Sequence, residues 1–451
     1  MSWRGWSIIS LLLAWVVVWT PPSAHAQATE ELPAISEASS QCPPPQVEPS
    51  PNLLVRTLAV EYSLLSKDLC KLVNWSDQIT SLENLVVHLF TGPGLHPTAG
   101  IIVPDGGFAG GLALNLEWND TAPLYERVTT SLEARYSVNG FWAAGAQLQA
   151  LLSRFIEEGQ SPLVTLSAKH FDLPSLPFYG LGNDSSLSSK VFYALTETEV
   201  STNLDVPVAP GVTLSGDLHG LWFAPDPSAS FDAAFNQTTA PGLHANTTYI
   251  LPGLSATLEY PRDERLYGLS TSLRVGYGFY QTIDGGSYSF GRLDARWDTS
   301  LAVDPYHRFG TLHFVGRLVL SEPYGRNDVP FYLQPTLGGA DIHDENLLRS
   351  YANYRFRDRN LVAYELSYER QILDPLGIKI FGELGKVGRH PGDLGFDGLK
   401  YSAGVGATFR LGGQTFFEIS FAWGGGEGMQ IYATGNTNNI GAVSAGLRGV
   451  F

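Results

Sequence analysis

From about residue 97 onward the apolar and polar positions alternate with a period of two. In 267–279, Tyr267, Leu269, Leu273, Val275, Tyr277 and Phe279 share one face, and Gly268, Ser270, Ser272, Arg274, Gly276 and Gly278 share the other. In 398–411, Leu399, Tyr401, Val405, Phe409 and Leu411 oppose Lys400, Ser402, Thr408 and Arg410. In 288–301, Leu293, Ala295, Trp297 and Leu301 oppose Arg292, Asp294, Arg296 and Asp298, and 128–138 repeats the scheme with Arg127, Glu133 and Arg135 on its polar face. Runs this long, with ring-bearing residues on one face, are what strands crossing a bilayer require, whereas strands of a soluble sandwich are usually shorter. The pattern predicts an all-β fold, a transmembrane antiparallel β-barrel of about sixteen strands over 97–451.

The expected strands lie near 97–103, 107–117, 125–137, 140–151, 161–173, 187–201, 207–221, 245–260, 266–281, 287–302, 308–320, 360–372, 376–387, 398–411, 414–424 and 440–451. Connections after even strands are mostly short. The longest, 174–186, 222–244, 321–359 and 425–439, follow odd strands, as in barrels with short periplasmic turns and long outer loops.

The first part of the chain has a different period. Residues 1–26 read as a signal peptide, with Arg4, an apolar core from Ile8 to Trp19 and an Ala24-His25-Ala26 cleavage site. Residues 27–52 read as a disordered Pro- and Ser-rich linker. Residues 53–96 read as a helical N-terminal segment, with stripes at Leu54, Leu58, Tyr62, Leu65, Leu69 and Leu72 and at Ile79, Leu82, Val86 and Leu89. It would pack on the barrel mouth or, alternatively, plug the lumen. Pairing of Cys42 with Cys70 is left open.

Composition narrows the function. Charged residues are only 16% and the net charge is -16, with no long basic run, so nucleic acid is not an expected partner. No metal-ligand spacing, phosphate loop or nucleophile elbow occurs, so no enzyme activity, metal or cofactor is expected. His343, Asp344 and Ser350 are triad residue types but sit in one loop. His219 and His313, with Asp217 and Arg317, read as a solvated pore wall. The terminal Phe451, with Val443, Ala445 and Leu447 on its face, resembles the C-terminal signal read by the outer-membrane insertion machinery.

Several motifs then fall in order. Leu337-Gly338-Gly339 precedes Leu348-Arg349-Ser350-Tyr351. A strand with Glu365 and Glu369 follows, and then Phe381-Gly382-Glu383-Leu384-Gly385. Together with Phe178-Tyr179-Gly180-Leu181-Gly182-Asn183-Asp184, this order resembles the BamA/TamA-type bacterial surface-antigen outer-membrane β-barrel superfamily. Ser350 stands where that family has Gly, and Glu383 where it has Asp. Residues 27–96 could hold at most one POTRA domain, so the resemblance is to a POTRA-less member. It implies sixteen strands, a bacterial outer-membrane location and a role in inserting or exporting proteins. The implied partners are outer-membrane lipid, the insertion machinery and client outer-membrane proteins. A passive channel or structural barrel is the alternative.

Strand parity places the motif residues without the resemblance. Glu365 and Glu369 share a face opposite Val362, Tyr364, Leu366 and Tyr368. Lys379, Phe381, Glu383 and Gly385 share a face opposite Ile378, Ile380 and Leu384. With the apolar sets towards lipid, these acids point into the lumen, where a loop folding inward could bring Arg349 to Glu383 and to Glu365 or Glu369. The other reading of Arg349 is a solvated loop charge. A weak seam is expected between a first strand bracketed by Pro97 and Pro104 and a last strand carrying Gly441, Gly446 and Gly449.

Overall fold

The structure, a computed structural model, describes residues 94–122, 125–152, 161–263, 268–303, 310–340, 346–372, 376–411 and 414–435. The signal peptide, the linker, residues 53–93 of the helical segment, Cys42, Cys70, His343, Asp344, the strand at 440–451 and Phe451 lie outside the described residues.

The strands are β1 (Gly94–Ile101), β2 (Phe108–Ala122), β3 (Tyr125–Ser137), β4 (Trp142–Leu152), β5 (Leu163–Phe178), β6 (Val191–Ala209), β7 (Val212–Pro227), β8 (Thr247–Asp263), β9 (Leu269–Thr282), β10 (Phe290–Ala302), β11 (Thr311–Pro323), β12 (Thr336–Leu337), β13 (Phe356–Arg357), β14 (Asn360–Gln371), β15 (Leu376–Gly388), β16 (Lys400–Leu411), β17 (Gln414–Trp423) and β18 (Met429–Gly435). Among the described residues, sixteen of them form one antiparallel sheet in which each strand pairs with its chain neighbour. The short pair β12–β13 stands apart, inside the long connection from β11 to β14. No helix of the described residues is long and apolar enough to cross a membrane, so a crossing would be made by strands.

The expected alternation is realised strand by strand. On β15, Ile378, Ile380 and Leu384 are exposed, while Phe381, Glu383 and Gly385 are buried on the other face. The same split puts Leu366, Val405, Phe417, Ile419 and Phe421 outward. A continuous outward belt of large apolar side chains is stable against lipid and not against water. The sheet rolls up: Asn183, after β5, donates to the carbonyl of Gly398, between β15 and β16, at 2.8 Å.

Two strand assignments need correction. The first strand starts at Gly94, so 94–96, read as the end of the helical segment, are strand. His96 and Thr98 already face inward there, and Pro97 is tolerated because β1 is an edge among the described residues. The stretch 425–439, read as a loop, holds β18, which pairs with β17 from Trp423↔Met429 to Phe417↔Gly435. Its alternation, Met429 and Ile431 out against Gln430 and Tyr432, is brief and follows the turn-forming Gly424-Gly425-Gly426.

Strands β5 to β8 also run past their expected ends. β6 has 19 residues, against the roughly 9–11 a tilted strand needs to cross a bilayer. Pro174 does not stop β5, because the register shifts between Leu173 and Leu176 and a bulge absorbs it. The loop-side ends of β5 to β9 have apolar inner faces. Leu173, Leu176, Tyr193, Leu221, Phe223, Tyr249 and Tyr280 pack there with Phe231 of a short helix, Ala229–Ala234, and with Phe331 and Tyr332 of the long connection. A buried aromatic cap therefore lines the rim that carries the long loops. Lower on the inner wall Arg274 is exposed, and Arg296 pairs with Asp298 at 2.8 Å on side chains about 40% exposed.

The two faces should answer differently to the same charge. Ile380→Arg, on the outer face of β15, should lower stability by about 2–4 kcal/mol. Ser272→Arg, on the inner wall of β9 between Glu259 and Asp298, should cost under about 1 kcal/mol. Urea titration of the compact band in unheated gels measures both, and equal costs would contradict the facing.

Candidate functional site

The register of β14 and β15 sets Glu365 directly across from Glu383. Like charges in facing positions repel, and both are buried, Glu383 to 2% exposure. Glu418 joins them from β17. Parity puts it inward with Ser420 and Ala422, while Phe417, Ile419 and Phe421 face out. Three carboxylates thus converge on one stretch of inner wall, which is stable only with cations between them.

The long connection supplies one. After β12, backbone bonds from Gly338 to Leu347, from Leu347 to Gly339, from Gly339 to Leu348 and from Tyr351 to Leu348 fold the segment into a tight double turn. Gly338 has φ +103 and sits against Arg355 and the Ala352 carbonyl, leaving no room for a side chain. Leu348 itself is left-handed, φ 58, and fully buried. That turn aims Arg349 down at the acids. Its Nε donates to Glu383 Oε1 at 2.6 Å, one terminal nitrogen to Glu365 Oε2 at 2.5 Å and the other to Glu418 Oε1 at 3.0 Å. Its backbone N–H donates to Glu383 Oε2 at 2.7 Å. The guanidinium lies 3.8 Å from the Phe381 ring centre, a cation–π contact. Burial alone would make Arg349 easier to deprotonate, but the carboxylates, Glu383 foremost, outweigh it and hold the guanidinium firmly charged.

Lys379 is the second cation, 3.0 Å from Glu365 and 3.5 Å from Glu418. Ser350 is fully buried, and its backbone N–H donates to Ser402 Oγ at 3.0 Å. Tyr351 stacks edge-on against Phe356 of β13. Gly385 faces Leu337 and Ala363 under the same turn. Glu369 is not brought to Arg349. It accepts from Thr408 at 3.0 Å and lies 3.6 Å from Arg410.

Other expected residues fall into place around this centre. The segment from Phe178 to Asp184 braces the loop: Gly182 N–H donates to the Arg357 carbonyl, and Phe178 packs on Phe331. His219 is not on a solvated wall. It is buried between Glu199, 2.8 Å away, and Asp217, 3.1 Å away, with Lys169 on the far side of Glu199. His313 is half-buried, and Arg317 reaches Asp294 at 3.5 Å. Arg292 sits beneath the cap, over the rings of Tyr280 and Phe290. Glu418 was absent from the expected site, although parity of 414–424 carries its signal, and Lys379, turned inward by parity, was not expected as a second cation.

No family model matches the chain, and no curated protein is similar to it in sequence. Solved structures are similar to it in fold. BamA from Haemophilus ducreyi, in a form lacking POTRA domains 1–3, superposes with a TM-score of 0.50 at 12% identity, over 74% of this chain and 67% of that one. CdiB from Escherichia coli gives 0.45 at 12% identity, over 75% and 61%, and CdiB from Acinetobacter baumannii gives 0.42 at 9%, over 73% and 54%. The chain thus spans about two thirds of that BamA and less of either CdiB. It has the fold of a BamA-type barrel.

The charge count around Arg349 fixes an order of severity. Arg349→Ala leaves three buried acids facing Lys379 alone and should cost about 3–5 kcal/mol. Glu383→Gln leaves two acids facing two cations and should cost about 1–3 kcal/mol. The double variant should cost less than the sum. Urea unfolding and protease access to 346–357 measure these effects. Equal single effects that add fully would mean that Arg349 is an independent solvated charge.

Proposed function

We propose that this chain resides in the bacterial outer membrane and assists the insertion or export of other proteins there, Arg349 and its acids holding the long loop inside the barrel while it works. The observation that carries this reading is the loop held inside the barrel by Arg349, beside a sheet end that carries Pro97. A buried aromatic cluster lies against the loop-side rim, which disfavours an open diffusion channel. Among the described residues the sheet ends in β1, which carries Pro97, and β18. Proline removes a ladder donor, and a strand edge is a template for an added strand. A client chain would pair at such an edge and leave sideways into lipid. The BamA-type fold and the order of Leu348-Arg349-Ser350-Tyr351, Glu365 and Glu383 support the same reading.

Depletion of the protein in its own cells tests it. Levels of other outer-membrane barrel proteins should fall, with those barrels accumulating unfolded, and the protein itself should fractionate with outer membranes and migrate faster unheated than boiled. Unchanged barrel levels together with altered uptake of small solutes would overturn the assembly reading in favour of a channel.

A further inference from the structure

The segment that follows Arg349 touches both ends of the sheet in turn. At the β18 end, Tyr432 Oη donates to the Tyr351 carbonyl at 2.7 Å. The Ala352 N–H donates to Glu427 Oε2, in the turn from β17 to β18, at 3.3 Å, and Arg355 pairs with the other oxygen of that carboxylate. At the β1 end, Asn353 Nδ2 donates to Asp105 Oδ1, in the turn from β1 to β2, at 2.7 Å. Tyr354 Oη donates to the Pro104 carbonyl at 3.4 Å. Five consecutive residues, 351–355, therefore alternate between the two sheet ends, while Arg349 and Ser350 hold the strands just before them.

Backbone conformation marks the same place. Four non-glycine residues among the described ones are left-handed; two of them, Asp105 and Tyr354, lie in this contact, and a third, Leu348, is in the turn just before it. Such residues persist only where the surroundings hold them. Two glycines allow the approach. A side chain at Gly425, φ +59, would strike the Tyr351 ring, and one at Gly339, φ +58, would strike Asn353 and the Tyr432 hydroxyl.

We propose that residues 351–355 form a clasp that joins the β1 and β18 ends of the sheet, so that the two ends separate only when the loop lets go of one of them. Loop release and separation of the sheet ends then become a single event. The hydrogen bonds on the two sides differ in kind. The β18 side leans on one carboxylate, Glu427, shared by Ala352 and Arg355, and the β1 side on the Asn353–Asp105 pair. This assignment does not depend on what the barrel handles, and it holds for a channel as for an assembly factor.

Spin labels at Ala99 and Ala433, both on the outer face of the end strands, report the separation by pulsed dipolar spectroscopy on the full-length chain in lipid vesicles. The unaltered clasp should give one narrow distance. Asn353→Ala and Asp105→Ala should each broaden it towards longer distances, the two together no more than either alone, and Asp105→Asn, which keeps an acceptor, should restore the narrow peak. Tyr432→Phe should broaden it from the other side. A disulfide between Asn353→Cys and Asp105→Cys should narrow the distribution again when it is added to Tyr432→Phe, and reduction should reverse this. The cysteine pair also serves if an alanine variant does not assemble. A distance unchanged by both alanine variants, or by forming the disulfide in the Tyr432→Phe background, would overturn the clasp.

Discussion

Two carboxylates placed directly across a strand pair and shut away from water repel each other, and the register of β14 and β15 puts Glu365 and Glu383 in that relation. Glu418 adds a third. The sheet alone cannot tolerate this arrangement, because a buried carboxylate needs hydrogen bonds and a counter-charge. Arg349 meets the need in a way a lysine could not, since its planar fork reaches three carboxylates at once while its face rests on Phe381. With Arg349 at 3% exposure, its pairs lie far from the regime in which ion pairs are worth almost nothing. Folding the wall therefore requires folding the loop into it.

The rest of the loop-side architecture follows from that demand. A connection pulled into a lumen must bury its backbone groups and find apolar company for its side chains. The inner faces of β5 to β9 supply that company at the loop-side rim, and Phe331, Tyr332 and Phe231 complete the aromatic cap. Arg357 ties the cap to the loop by donating to the Phe331 carbonyl at 2.7 Å. Arg292 does the same from β10, through the Leu333 carbonyl. Below the cap the wall turns polar and then wet, so the interior is graded from dry at the loop rim to solvated lower down.

Much of this was legible in the sequence. A period of two is a direct readout of which side chains face lipid, and it located the strands and turned Glu365, Glu383, Phe381 and Gly385 inward. The order of motifs pointed Arg349 towards Glu383, with a solvated loop charge as the other reading. What escaped has identifiable causes. β18 was lost because its seven residues follow three glycines, and turn signals outweighed a brief alternation. The extended ends of β5 and β7 were lost because proline is read as a strand breaker, whereas a bulge tolerates Pro174. Glu369 and Glu365 share a face, so parity could not choose between them; depth along the strand did, since Glu365 and not Glu369 lies opposite Glu383. The bonds of Arg355 to Glu427 and of Asn353 to Asp105 span 72 and 248 positions and depend on the rolling of the sheet, which no local pattern encodes.

The central claim is that the turn carrying Arg349 is held inside the barrel by the wall acids, and the Arg349 backbone N–H reports on it directly. That group is buried and donates to Glu383 Oε2. Amide hydrogen exchange on the unmodified protein, read for the peptide spanning 346–357, should therefore be as slow as that of β14 and β15. Exchange as fast as that of the exposed turn at 391–399 would contradict the account.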